Sequence, residues 1–239
     1  MTSRFKVFVS VRDRWKSTNV CVNSLIKNSN GLADIYIFDN GSDEELLALQ
    51  KLYTTWISLG QIQSVIYNSK ASLRNVYWGK AFSWTQFLNI MAMHSEENPY
   101  LVMMDNDVMV LPGWTSSITS AYDSHLCKKE NVKIVSCWNG PPRYPNLKVL
   151  PGKGAKIAIR DRLGSPLWVA PYSYWVTLQT PPYGRNNAVP DDVFYWDQLK
   201  ERNQTFAVIL NNLCRDITPG IGGSNYSARL KFNGDGYPG

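Results

Sequence analysis

The 239 residues suffice for one large domain or two small ones, and 44% apolar with 18% charged residues excludes a chain disordered throughout. Lys and Arg exceed Asp and Glu by 25 − 19 = 6, for a pI near 9.1; this balance suits polyanionic partners without choosing among nucleotides, nucleic acid and anionic glycans. A run of about 18 apolar residues, as a membrane helix needs, occurs nowhere.

Four scattered cysteines (Cys21, Cys127, Cys137, Cys214) and two distant histidines (His94, His125) lack the spacing of a zinc site, so the thiols are expected to be reduced. With no apolar leader after Met1, the expected compartment is cytoplasmic.

Phe5 to Val11 reads as a strand, and residues 16–28 as a helix with Val20, Leu25 and Ile26 on one side. Ile35 to Phe38 is a second strand ending at Asp39-Asn-Gly-Ser, and a helix from Glu44 to about Leu59 follows, capped by Ser42 or Asp43. Ile62 to Tyr67 makes a third strand. Gly79 to His94 makes a helix whose Phe82, Phe87, Ile90 and Met91 turn to the core. Tyr100 to Val110 is the fourth strand. Past Pro112-Gly113-Trp114 the pattern changes. Val132 to Cys137 and Trp168 to Thr177 read as strands, Asp191 to Arg202 as a helix and Phe206 to Leu210 as a strand, with loop from Pro219.

Strands alternating with helices predict a parallel sheet, and ligands on such sheets bind beyond the carboxyl ends of the strands. That rule gathers Arg12-Asp13-Arg14, Asp39-Asn40, Asn68 to Lys70, and Asp105 with Asp107 on one rim. Two carboxylates one residue apart at the end of an apolar strand are costly unless a cation lies between them. Mg²⁺ and Mn²⁺ prefer oxygen ligands and share them with substrate phosphates, so the triplet suggests a metal-held diphosphate.

The segments Phe8-Val-Ser-Val-Arg12-Asp-Arg14, Ile37-Phe-Asp39-Asn-Gly-Ser42, Met104-Asp105-Asn-Asp107 and Asp191-Asp192 fall in the order seen in GT-A glycosyltransferases. The chain resembles that group, family 2 above all, over roughly residues 5 to 210. The resemblance implies an α/β fold: a single GT-A-like domain over 1–239, with a Rossmann-like, mainly parallel central sheet flanked by helices and a mixed C-terminal acceptor-side region. Residues 1–110 would be the nucleotide-sugar half, 111–218 the acceptor and catalytic half, and 219–239 a flexible tail.

The resemblance further implies an inverting enzyme that moves a sugar from a nucleotide-diphosphate sugar, UDP-sugar favoured, to a glycan or other hydroxyl acceptor. Asp39 matches the acid that hydrogen-bonds the nucleotide base, and Arg12 a position used against phosphates or base. Asp107 matches the main ligand of Mn²⁺ or Mg²⁺, with Asp105 on the ribose or the metal through water. Asp192 matches the general base, with Asp191 in place of the usual Glu; a carboxylate there would take the acceptor's proton as its oxygen attacks. Lys80 and Trp78 would line the sugar pocket.

One departure stands out. No His follows His125, so the third metal ligand of many GT-A enzymes is missing; either Asp216 replaces it, or Arg215 binds the phosphates directly. Residues 143–162 carry Arg143, Lys148, Lys153, Lys156, Arg160 and Arg162, which read as a solvated loop, a flap over the diphosphate or a track for an anionic acceptor. Trp168, Tyr172, Tyr174 and Trp175 fit the acceptor region or the core. Two other functions stay open: the same chemistry on a hydroxymethylated base in DNA, and a non-catalytic nucleotide-sugar-binding module.

Overall fold

The computed structural model describes residues 4–68, 76–139, 146–151, 156–181 and 191–217. The expected tail from 219, and Ser69, Lys70, Arg143 and Lys153, lie outside them, as do the side chains of Trp78 and Asp191. The first half reads β1 (Phe5–Val11), α1 (Trp15–Asn28), β2 (Ala33–Asp39), α2 (Leu46–Ser58), β3 (Ser64–Tyr67), α3 (Val76–Met91), a 3-10 turn (Ala92–Glu97) and β4 (Tyr100–Asp105). Then come β5 (Val108–Val110), α4 (Trp114–Asp123), α5 (His125–Lys129), β6 (Val132–Ser136), β7 (Lys148–Pro151), β8 (Lys156–Arg160), β9 (Leu167–Pro171), α6 (Tyr172–Trp175), α7 (Asp191–Glu201), β10 (Thr205–Ile209) and β11 (Cys214–Asp216).

Nine strands form one sheet in the order β3-β2-β1-β4-β9-β6-β10-β8-β7. The first four are parallel, and only β8 and β9 run against the rest, so the sheet is mainly parallel in direction. Its central strands are buried almost without alternation, as strands covered on both faces must be. Phe8 turns to one face, where it meets Trp84 of α3 at 5.3 Å between ring centroids. Phe5, of opposite parity, meets Trp114 of α4 at 5.2 Å on the other. Among the described residues no helix is long and apolar enough to cross a membrane.

Several elements differ from the sequence expectation, each for a physical reason. The expected strand from Tyr100 to Val110 breaks at Asn106-Asp107. Asn106 turns inward and its amide donates to Thr18 Oγ1 at 2.8 Å and to the Asp13 carbonyl at 3.3 Å, which takes the chain out of the ladder. Strand β5 then leaves the main sheet and pairs antiparallel with β11. The strand expected through Thr177 stops at Pro171, and Tyr172–Trp175 coils into one helical turn that buries Trp175.

Helix α4 was not legible after Gly113, whose positive φ of 88° opens it and whose neighbour Trp114 is fully buried. The basic stretch is in part a hairpin, β7 against β8, rather than all loop. Within it Arg160 is buried, donating to Asn146 Oδ1 and Asn139 Oδ1 at 2.8 Å each, and burial pulls its guanidinium below its usual range. Lys148 is ion-paired with Glu130.

Candidate active site at the strand-end rim

The parallel register sets the rim level. Ser10 pairs with Asp105, Val11 with Asp39, and Asp39 with Tyr67, so the residues that follow each strand emerge side by side. Arg12, half-buried, is the first of them.

Asp13 and Arg14 both take left-handed backbone conformations, with φ of 52° and 62°, which non-glycine residues adopt only when held there. The holding groups come from the loop after β2. Ser42 Oγ accepts from Asp13 N–H at 2.7 Å, Asp13 Oδ1 accepts from Asp43 N–H at 2.8 Å, and Glu45 Oε2 accepts from Trp15 N–H at 2.6 Å. Glu45 thus supplies the carboxylate that the start of α1 favours, and the Arg14 side chain is left to reach elsewhere.

Beneath the rim lies a buried polar network. Asp39 is 1% exposed; its Oδ1 accepts from Ser42 N–H at 2.8 Å and its Oδ2 from Tyr53 Oη at 3.0 Å. Burial pushes its carboxyl above the usual range, and those hydrogen bonds pull partly back. Tyr53 is pushed up in turn, first by burial and then by Asp39. Beside them the Asn40 amide donates to Ser10 Oγ at 3.0 Å, and the Asn68 amide to Asn40 Oδ1 at 3.1 Å and Ser83 Oγ at 2.7 Å. These groups tie β1, β2, the residue after β3 and α3 together at the point where the strands end.

The triplet carries two ion pairs. Lys80 Nζ lies 2.7 Å from Asp105 Oδ1 and donates to Ser165 Oγ at 3.0 Å; Arg14 Nη1 lies 2.8 Å from Asp107 Oδ2. The first pair is the more enclosed, with side-chain exposures of 10% and 32% against 21% and 43% for the second. Both carboxylates reach far enough into solvent to meet a ligand. The negative field is felt behind them: Cys21, whose thiol lies 3.6 Å from the Asp105 carbonyl, is pushed well up by burial, with Asp107 and Asp105 adding to it.

Asp216 is brought to the same place through the backbone. Strand β11 pairs Asp216 opposite Val108, and Ile217 N–H donates to the Asp107 carbonyl at 2.7 Å. Its side chain accepts from Trp138 Nε1 at 2.8 Å, and among the described residues no three acid, Cys or His side chains converge as a metal set. Two half-exposed carboxylates that already attract cations nevertheless fit a divalent ion shared with phosphate oxygens, since Mg²⁺-type sites often use one or two carboxylates only. The residues present fit such an ion, with Asp105 and Asp107 as holders.

Asp192 stands at the start of α7, half-buried, its Oδ1 accepting from Val193 N–H at 2.9 Å. One turn on, Trp196 Nε1 donates to the Leu163 carbonyl at 2.8 Å. Leu163 to Pro166 is the segment that also holds Lys80 through Ser165 and Asp105 N–H through the Pro166 carbonyl at 3.0 Å. One short connection therefore links α7 to the triplet. Trp168 and Trp175 are core residues, fully enclosed, whereas Tyr172 and Tyr174 are half-buried, the latter donating to Gln204 Oε1 at 2.6 Å.

Arg14, Ser165 and Asn106 have no assigned role in the sequence, and Glu45, expected in a capping box of the second helix, instead turns its carboxylate to Trp15 N–H. Of the first three, only Arg14 left a trace in the sequence, as the second cation of an Arg-Asp-Arg run at a strand end; its partner is 93 residues away.

No protein-family model matches the chain, and no curated protein does. Solved structures do. A mannosyltransferase from Pyrobaculum calidifontis, PcManGT, in complex with GDP-Man and Mn²⁺, superposes with a TM-score of 0.63 at 12% identity, over 96% of this chain and 60% of that one. GalNAc-T7 with UDP, GalNAc and Mn²⁺ gives 0.58 at 11% identity, over 86% and 41%. S. aureus TarS 1-349 gives 0.56 at 14% identity, over 92% and 62%. The chain thus spans about two fifths to three fifths of the lengths of these structures. At such identities the likeness speaks for architecture: the chain has the GT-A glycosyltransferase fold.

Proposed function

We propose that the chain is a glycosyltransferase that moves a sugar from a nucleotide-diphosphate sugar, UDP-sugar favoured, to a hydroxyl acceptor with inversion. The observation that carries the reading is the meeting of Arg12, Arg14, Lys80, Asp105 and Asp107 on one strand-end rim of that fold. The superposed structures that hold GDP-Man or UDP with Mn²⁺ support a nucleotide-linked donor and a divalent ion.

In this reading the base lies over the Asp39 pocket floor and Arg12 borders the nucleotide. Asp107 would hold Mn²⁺ or Mg²⁺, Asp105 would contact the ribose or the metal through water, and Asp216 stands behind the triplet on the β5–β11 ladder. The ion, when bound, neutralises charge on the leaving diphosphate. Asp192, with Asp191 beside it in sequence, takes the proton of the acceptor hydroxyl. The acceptor oxygen then bonds to the anomeric carbon from the face opposite the breaking carbon–oxygen bond to phosphate, and the nucleoside diphosphate departs.

Two of the four described basic residues of the 143–162 stretch, Lys148 and Arg160, are occupied within the protein, which favours a glycan or other small hydroxyl acceptor over DNA. All four cysteines are free and buried, in keeping with a cytoplasmic setting.

The test is donor hydrolysis across UDP- and GDP-sugars, with Mn²⁺ added and then chelated. Release of UDP or GDP is expected from the wild type, falling by about 10²–10⁴-fold in Asp192→Asn once acceptor is present. Release unchanged in both Asp107→Ala and Asp192→Asn sinks the reading.

A further inference from the structure

Among the described residues each carboxylate of the triplet has a cation beside it. Asp105 is matched by Lys80 and Asp107 by Arg14, so the pocket presents no net charge from these four groups. The two pairs are not alike. Lys80 is 8% exposed and is fixed a second time by Ser165, so it stays on Asp105. Arg14 and Asp107 meet at the open edge, where water screens their attraction and exchange is easy.

Among the described residues, the loop after β1 offers a diphosphate few backbone donors. No glycine lies between Val11 and Trp15, and the Trp15 N–H at the head of α1 is already taken by the Glu45 carboxylate. The side chains are then the donors this loop offers to phosphate oxygens, and a guanidinium, with its planar fork of donors, is suited to them. The left-handed backbone of Arg14, fixed by the loop after β2, holds the base of that side chain at the rim while its tip reaches Asp107.

Resting on the reading above, we propose that Arg14 is a diphosphate-binding residue stored on Asp107. A divalent ion competes with Arg14 for Asp107; when ion and nucleotide enter together, the ion takes the carboxylate and the guanidinium turns to the phosphate oxygens. Asp107 is thereby a ligand for the ion and, before it arrives, the resting place of the cation that the diphosphate needs. Ion and nucleotide help each other bind, because each removes one partner of the pair that opposes the other.

The roles give opposite signs in binding, which a structural salt bridge does not. Titrations with Mn²⁺ alone (by its electron spin resonance signal) and with UDP or GDP by calorimetry need no turnover. In Arg14→Gln, Mn²⁺ alone is expected to bind several-fold more tightly, because Asp107 is relieved of its competitor, while the nucleoside diphosphate in Mn²⁺ binds about tenfold more weakly. In Asp107→Asn, the metal-free nucleoside diphosphate is expected to bind more tightly than to the wild type. That gain must vanish in the double variant D107N/R14Q; if it persists, removal of negative charge alone explains it and the proposal fails. Nucleotide affinity within twofold of wild type in Arg14→Gln, or Mn²⁺ and nucleotide weakened together, also overturns it. Should Arg14→Gln not fold, the proposal stands or falls on Asp107→Asn: it stands if Mn²⁺ tightens nucleoside-diphosphate binding in the wild type but not in this variant while the metal-free nucleotide binds the variant more tightly than the wild type, and falls otherwise. A wild type that binds neither Mn²⁺ nor either nucleotide removes the functional reading itself, a result distinct from all of these.

Discussion

Along β3-β2-β1-β4 each strand runs the same way and ends on the same rim, so polar loop residues meet there as a matter of topology. Past β4 the sheet is mixed, and its interior is an aromatic lock: Trp168 against Phe206 at 5.2 Å, Trp175 against Tyr195 at 5.5 Å and Trp84 against Trp175 at 4.9 Å between centroids. The first region holds charged groups in ion pairs that reach solvent; the second fixes large apolar side chains in place. Substitutions in the first should move ligand binding more than stability, and in the second the reverse.

The hardest blow to stability should come from Trp168→Ala, which empties a fully buried site between α7 and β10 and is expected to cost about 3–5 kcal/mol, read from the denaturant midpoint. Trp168→Phe should cost much less, because the indole N–H has no partner among the described groups. A Trp168→Ala protein that keeps its midpoint breaks the comparison.

Lys80→Met straddles the two regions, since it removes the cation from Asp105 and the donor from Ser165. Stability is expected to fall by on the order of 1–3 kcal/mol, with UDP or GDP affinity falling as well. Loss of stability with nucleotide binding intact would make Lys80 a structural group only.

Asp39 gives a pH signature. Its folded carboxyl is pushed up by burial, so between the unfolded value of about 3.9 and that higher folded value the native state holds more protons than the unfolded one. Its contribution to stability therefore falls as pH rises through that window. Asp39→Asn should lack this part of the slope in pH-dependent melts, and an identical slope in both proteins would show that Asp39 does not feel its burial.

The smallest effect expected is chemical. Burial holds Cys21 and Cys127 above the usual thiol range, Cys127 at about 11, and a hydrogen bond with Cys137 and then burial raise Cys214, so a thiol reagent at neutral pH should label the folded protein slowly and the unfolded protein fully. Fast labelling of the native state would reveal local opening.

The same contrast explains what the sequence made legible. In the first region strand and helix periods are local: β1, β2 and the first three helices stand within a few residues of expectation, and β4 starts at Tyr100 as expected. The ends of those strands then follow from topology, which is why Arg12, Asp39, Asp105 and Asp107 could be grouped without coordinates. The second region is made by contacts distant in sequence. β8 depends on β10, some 50 residues on, and β11 on β5, over 100 residues back, so neither strand announces itself in its own composition. Asp216 was named on family pattern alone; its approach to Asp107 comes from that β5–β11 ladder. The partners of the triplet, Arg14 and Lys80, are similarly a product of the folded surface rather than of any spacing.

The clasp between the loops after β1 and β2 has a calorimetric consequence. Because Ser42, Asp43 and Glu45 already hold Asp13 and Arg14 in their left-handed turn, that backbone is set before any nucleotide arrives. Binding against this turn need not order it, so its share of the heat-capacity change on nucleotide binding should be small, without the large negative value of a turn that folds around its ligand. Weakening the clasp with Ser42→Ala would shift that quantity toward the folding-coupled regime, converting a rigid receptor into one that must be completed by what it binds.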